Sequence, residues 1–169
     1  PIYLWDKYHQ ADRNGELEYF VSNLTAQTKA ERGGRSKLEL INQGQAFQIL
    51  LVEDLPDLPA EGQGKIIGGR KQLAANRSAI DYLKALQTEP QYQNEQGLTP
   101  EAVLTLWLTY LKEQNLALDD YAGQGKAERL FACYLSGQVP DLCWFRGYHQ
   151  AYAGRDFPGS RDGYVACRS

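Results

Sequence analysis

The amino-acid sequence predicts a single α+β domain spanning residues 1–169, and three observations predict it. The first half carries short apolar and aromatic runs separated by Asn, Gly and Pro, which is the pattern of strands and turns. Beyond residue 71 the apolar spacing lengthens toward the period of an amphipathic helix. With 169 residues, 43% of them apolar and 23% charged, the chain can bury one sizeable core and is far from a disordered composition.

Residues 1–55 form the β-rich half. "PIYLWDKY" at 1–8 predicts a first strand, Asn14-Gly15 a hairpin turn, and "ELEYFVSNL" at 16–24 the returning strand. Residues 25–36 are a polar connection with the pair Gly33-Gly34. "KLELIN" at 37–42 alternates with period two at Leu38 and Leu40, so it predicts a strand. "AFQILLVEDL" at 46–55 is the most apolar strand candidate, centred on Ile49, Leu50, Leu51 and Val52. Together these predict an N-terminal antiparallel sheet of about four strands. "PDLPAEGQG" at 56–64 breaks the chain, and "KIIGGRK" at 65–71 is a fifth short strand or a loop.

Residues 71–137 form the helical half. Leu73, Ile80, Leu83 and Leu86 lie near helical spacing. A second helix starts at Thr99 as N-cap, with Pro100 in the first helical position and Glu101 in the first turn. "GKAERLFACYLSG" at 125–137 predicts a third, closed by Gly137. The three helices are expected to pack on one face of the sheet. Residues 138–169 have no clear period and read as an irregular aromatic tail that returns to the sheet.

The net charge of −3 argues against a dedicated nucleic-acid binder, yet the charge is unevenly spread. Acids cluster at Glu53, Asp54, Asp57 and Glu61; bases cluster at Lys65, Arg70, Lys71 and Arg77. A second basic stretch holds Lys29, Arg32, Arg35 and Lys37. No apolar run approaches the roughly 20 residues that span a bilayer, and no basic-then-apolar leader opens the sequence. The expectation is a cytoplasmic protein with no membrane partner. Cys133, Cys143 and Cys167 are odd in number and do not read as a disulfide framework.

The tetrapeptide YHQA occurs at 8–11 and 148–151 and contains both histidines, His9 and His149. Two histidines can serve as general base and acid around a phosphodiester, with Arg146 or Lys7 as the cation. This makes a small metal-independent nuclease or hydrolase the alternative reading. No H-x-[ST] signature accompanies the pair, and the sequences flanking the two copies do not align. Cys133, Cys143, His149 and Cys167 lack the tight knuckle of a structural zinc site, so no metal is expected. No Walker motif or G-x-S-x-G is present, and no cofactor is expected. Asp119-Asp120 is expected to cap or solvate a turn. "PIYLW" resembles the start of tautomerase-superfamily proteins over five residues, but those continue from strand to helix, whereas an Asn-Gly hairpin signal follows here.

The remaining candidates are the Gly-Gly loops with their bases, Arg32, Arg35, Lys65, Arg70, Lys71 and Arg77, and the tail residues Trp144, Arg146, Tyr148, Arg155 and Arg161. Arginine interleaved with aromatics anchors protein interfaces and also stacks on single-stranded nucleic acid. The sequence therefore points to a non-enzymatic binding or accessory protein in a protein or ribonucleoprotein assembly. Another protein is the first partner and RNA or single-stranded DNA the second.

Overall fold

A computed structural model describes residues 16–43, 50–53, 55–121 and 125–169. The expected first strand, the Asn14-Gly15 turn, and residues 46–49 and 54 of the apolar run lie outside these residues. The rest of that run, residues 50–53 and 55, is not a strand, and Leu51 is exposed.

The domain is α+β. In chain order its elements are β1 (Leu17–Tyr19), α1 (Lys29–Arg32), β2 (Arg35–Ser36), α2 (Lys37–Asn42), β3 (Ile66–Ile67), β4 (Arg70–Lys71), α3 (Ala79–Thr88) and α4 (Pro100–Gln114). Then follow β5 (Ala127–Arg129), β6 (Cys133–Leu135), β7 (Val139–Phe145), β8 (Gln150–Asp156) and β9 (Val165–Ala166). Among the described residues three sheets form, in the orders β2-β1-β6, β3-β4 and β8-β7-β5-β9. All pairings are antiparallel except β5 with β9.

Among the described residues the largest sheet is thus C-terminal, not N-terminal. Alternate residues of β7 enter different cores. Val139 joins Tyr82 and Ala85 of α3 with Phe131, whereas Leu142 joins Val103 and Trp107 of α4 with Leu118. Because strand side chains alternate between faces, α3 and α4 cover opposite faces of the sheet. This corrects the expectation that the helices share one face.

Three segments adopt a different element from the one their pattern predicts. The expected third helix is β5, a turn and β6, and every residue from Ala127 to Tyr134 is buried. A strand buried on both faces loses its alternation and reads like a buried helix. Gly137 closes no helix; with Ser136 it occupies the left-handed region, φ 88° and 47°, in the tight turn between β6 and β7. "KLELIN" is helical because Ser36 and Glu39 form a reciprocal capping box, and its alternating Leu38 stays half exposed. The expected irregular tail contains the longest hairpin among the described residues, β7–β8, with seven paired positions.

Other signals are realised as read. Thr99 accepts from the Ala102 N–H at 3.2 Å and Pro100 opens α4. The 65–71 stretch is a two-stranded hairpin whose turn residues Gly68 and Gly69 have φ 59° and 88°, a conformation that favours glycine. Helix α3 starts later than its apolar spacing predicts. Leu73 is buried ahead of it, and Ser78 caps it by accepting from the Asp81 N–H at 3.1 Å. Asp81 accepts in return from the Ser78 N–H at 3.1 Å. Ser78→Ala is expected to lower stability by about 1 kcal/mol, read as a reduced urea midpoint with an unchanged slope. No helix among the described residues is long and apolar enough to cross a membrane.

Candidate functional site

Several of the charges that look like a surface patch in the sequence are turned inward. Arg32 is buried: its guanidinium donates to Glu18 at 2.7 and 3.3 Å and to the Ala26 and Gln27 carbonyls, and it stacks 4.2 Å from the centre of the Tyr134 ring. The Gly33-Gly34 pair makes this closure possible. A Cβ on Gly34 would stand 2.5 Å from Glu18 Oε2, and one on Gly33 2.6 Å from Ser22 Oγ. These glycines admit the protein's own side chains. Arg70 is held between Glu53 at 2.5 Å and Glu95 at 2.6 Å. Arg35 donates to Gln43 at 3.0 Å, and Lys65 is exposed.

The deepest ionic group has no signature in the sequence. Arg168 is buried, and its Nη1 contacts Asp119 Oδ2 at 2.5 Å and Glu128 Oε2 at 2.9 Å. Its backbone N–H donates to Glu128 Oε1 at 2.6 Å, and its Nη2 to the Leu55 and Pro56 carbonyls at 3.1 and 3.3 Å. The Trp107 indole donates to Asp119 at 2.9 Å. Asp119 and Asp120 are therefore not surface caps: they are 0% and 4% exposed. Burial pushes both Asp119 and Glu128 up, Glu128 to about 8, because one guanidinium faces two desolvated carboxyls. These residues join the C-terminal stretch, β5 and α4, and serve the scaffold.

The tail residues divide between the two sides of the sheet. Trp144 and its cross-strand neighbour Ala151 line an apolar groove against Leu104, Leu108 and Leu111 of α4. Around Phe145 runs a row of rings. Tyr164 and Tyr121 lie 6.0 Å apart, Tyr121 and Phe145 6.3 Å, and Phe145 and Tyr148 5.2 Å. Arg146 is exposed and pairs with buried Asp120. Tyr148, Tyr152 and Tyr164 are each more than half exposed.

Strand β8 is the edge of its sheet, with side chains exposed on both faces over Gln150–Ala153. Pro140 and Trp144 turn their carbonyls away from it, accepting from Leu130 at 2.9 Å and Tyr121 at 3.0 Å. The odd-numbered residues of β7 therefore bond to β8. In the register Cys143↔Tyr152 and Asp141↔Gly154, the N–H and C=O groups of Ala151, Ala153 and Arg155 point outward. No described strand pairs with that edge.

Lys71, Arg77 and Arg161 of the sequence candidates come together at a cleft of about 590 Å³ on the α3 side. The two histidines do not come together within the described residues. His9 lies outside them, and His149 is an exposed left-handed residue, φ 50°, closing the turn before β8. The cysteines are unpaired and sit in three separate apolar clusters, Cys133 near α4, Cys143 beside Ala127 and Val165, and Cys167 near α3. Burial raises all three thiols, Cys143 to about 11. Among the described residues no group of His, Cys, Asp or Glu is placed to hold a metal ion.

No protein-family model matches the chain, and no curated protein or solved structure matches it.

Proposed function

We propose that the protein is a non-enzymatic accessory component of a protein assembly, and that an extended segment of its partner adds to the β8 edge. The observation that carries this reading is the β8 edge, which no described strand pairs. Native edges are blunted by brevity, charge, proline or a covering element. β8 is seven residues long, and its centre, Ala151–Gly154, carries no charge and no proline. Outward backbone groups at Ala151, Ala153 and Arg155 would supply hydrogen bonds to an added strand. Tyr148 and Tyr152, with Arg146 and Arg155, would supply the aromatic and arginine anchors found at interface centres. A ribonucleoprotein setting fits the same residues, with RNA or single-stranded DNA as the second ligand, because rings and guanidinium groups also stack on bases.

Ala153→Pro tests the reading. The N–H it removes faces outward, so the β7–β8 ladder is kept, and edge strands tolerate proline. Used as bait in an extract of the native host, the wild-type protein is expected to retain a partner that the variant loses, with identical circular dichroism for both. Retention of the same partner by the variant contradicts the proposal. Salt-sensitive binding of a labelled single-stranded oligonucleotide, with no protein retained by the wild-type bait, also contradicts it and assigns the exposed rings and guanidinium groups to nucleic acid.

A further inference from the structure

We infer that the cleft beside α3 is a binding site for a compact polyanion of the di- or triphosphate class. This inference does not rest on the β8 reading.

The cleft encloses about 590 Å³ between residues 71–77, the outer face of α3 and Arg161. That is within the range of small-molecule sites. Its lining differs from an apolar ligand pocket in both charge and size. Lys71, Arg77, Lys84 and Arg161 approach from three parts of the chain, and the floor is made of the small side chains Ala74, Ala75 and Ala85. Among the described residues no ring lines it, so none of them can stack a base. Recognition falls to charge.

Of the three carboxylates in the cleft one is neutralised by a cation, and the other two are turned to neutral amides and keep their charge. Asp81 is taken by the Ser78 N–H and by Arg161 at 3.0 Å. Glu61 accepts from the Asn76 side chain at 2.8 Å, and Glu89 from Gln91 at 2.8 Å. Lys71, Arg77 and Lys84 have no ion pair among the described residues. Lys71, Arg77 and Lys84, without an ion pair among the described residues, outnumber the unneutralised Glu61 and Glu89 around one concave space, so in a chain whose net charge is −3 the cleft is a local region of positive excess that suits a compact anion. A multiply phosphorylated small molecule supplies those charges in a small volume, and arginine and lysine donors suit its oxygens.

Titration calorimetry on the whole protein at low salt, with orthophosphate, pyrophosphate, tripolyphosphate and ATP as probes, tests the inference. Affinity is expected to rise with charge along the inorganic series. ATP and tripolyphosphate should bind alike, because no ring reads the base. Lys71→Ala, Arg77→Ala and Lys84→Ala alter exposed side chains, and each is expected to weaken tripolyphosphate by about tenfold. Glu89→Gln removes a negative charge and should tighten it, which loss of folding cannot mimic. Ala153→Pro should leave the titration unchanged, so this inference and the edge-strand proposal fail separately. No heat with any polyphosphate overturns the inference. Equal affinity for sulfate at matched ionic strength, or unchanged affinity in the three cation variants, also overturns it.

Discussion

Replacing Arg168 with methionine is expected to cost about 3–5 kcal/mol of stability at neutral pH. The side chain is 1% exposed and is the cation that faces Asp119 and Glu128, both fully buried and sharing one proton. Methionine matches the length of the aliphatic stem but leaves two desolvated carboxyls without a cation. It also removes the donors to the Leu55 and Pro56 carbonyls, so it releases the tie between the C-terminal stretch and the 55–56 connection. The loss should shrink toward pH 5, where the carboxyls take up protons and the uncompensated charge disappears. Urea unfolding at pH 5 and pH 8 measures both values. A variant whose deficit is the same at both pH values would contradict this role for Arg168.

Stability of the wild-type protein is expected to fall as pH rises from about 5 to about 8. The sign follows from the shared proton of Asp119 and Glu128. Burial raises the Glu128 carboxyl from 4.5 to about 8 in the folded state, so the native protein holds a proton that the unfolded chain has already released. The unfolded state binds fewer protons over this interval, and stability declines by up to about 1.4 kcal/mol per pH unit. Stability from this group is complete below the unfolded value and lost once pH passes the folded one. Asp81 and Glu101 are shifted the other way. Burial pushes each of them up, but the Ser78 cap outweighs it at Asp81, and Lys37 with Tyr19 outweighs it at Glu101. Their contribution is already complete above their unfolded values, so it does not mask the decline. Asp119→Asn is expected to flatten the profile. Its backbone φ of 52° suits asparagine, and one amide oxygen can still accept from Trp107 and Arg168.

How much of the fold and of the site is legible in the sequence differs by element. Helix α4 is readable because its start is written locally in Thr99, Pro100 and Glu101. The start of α3 is equally local, in the Ser78-x-x-Asp81 spacing, but the apolar spacing that begins at Leu73 overrides it. β5 and β6 are not readable because burial of every residue from 127 to 134 erases periodicity. The edge strand β8 hides for the opposite reason: with both faces exposed, it shows no alternation. The Arg168 group cannot be seen at all, since its partners lie 40 and 49 residues away in the chain. Of the basic candidates, spacing places Lys71 and Arg77 in one neighbourhood but cannot show that Arg161 joins them. Nor can it show that Arg32 and Arg70 direct their charge to Glu18, Glu53 and Glu95. Long-range pairing, not local preference, decides those outcomes.

Residue-resolved amide exchange across β8 tests the edge-strand function most directly. In the free protein the outward amides of Ala151, Ala153 and Arg155 are expected to exchange fast, and those of Tyr152 and Gly154 slowly. In the complex with the partner retained by the wild-type bait, the three outward amides should slow while the inner two stay as they were. Outward amides that exchange as fast in the complex as in the free protein would show that the partner binds elsewhere, and would contradict the proposed function.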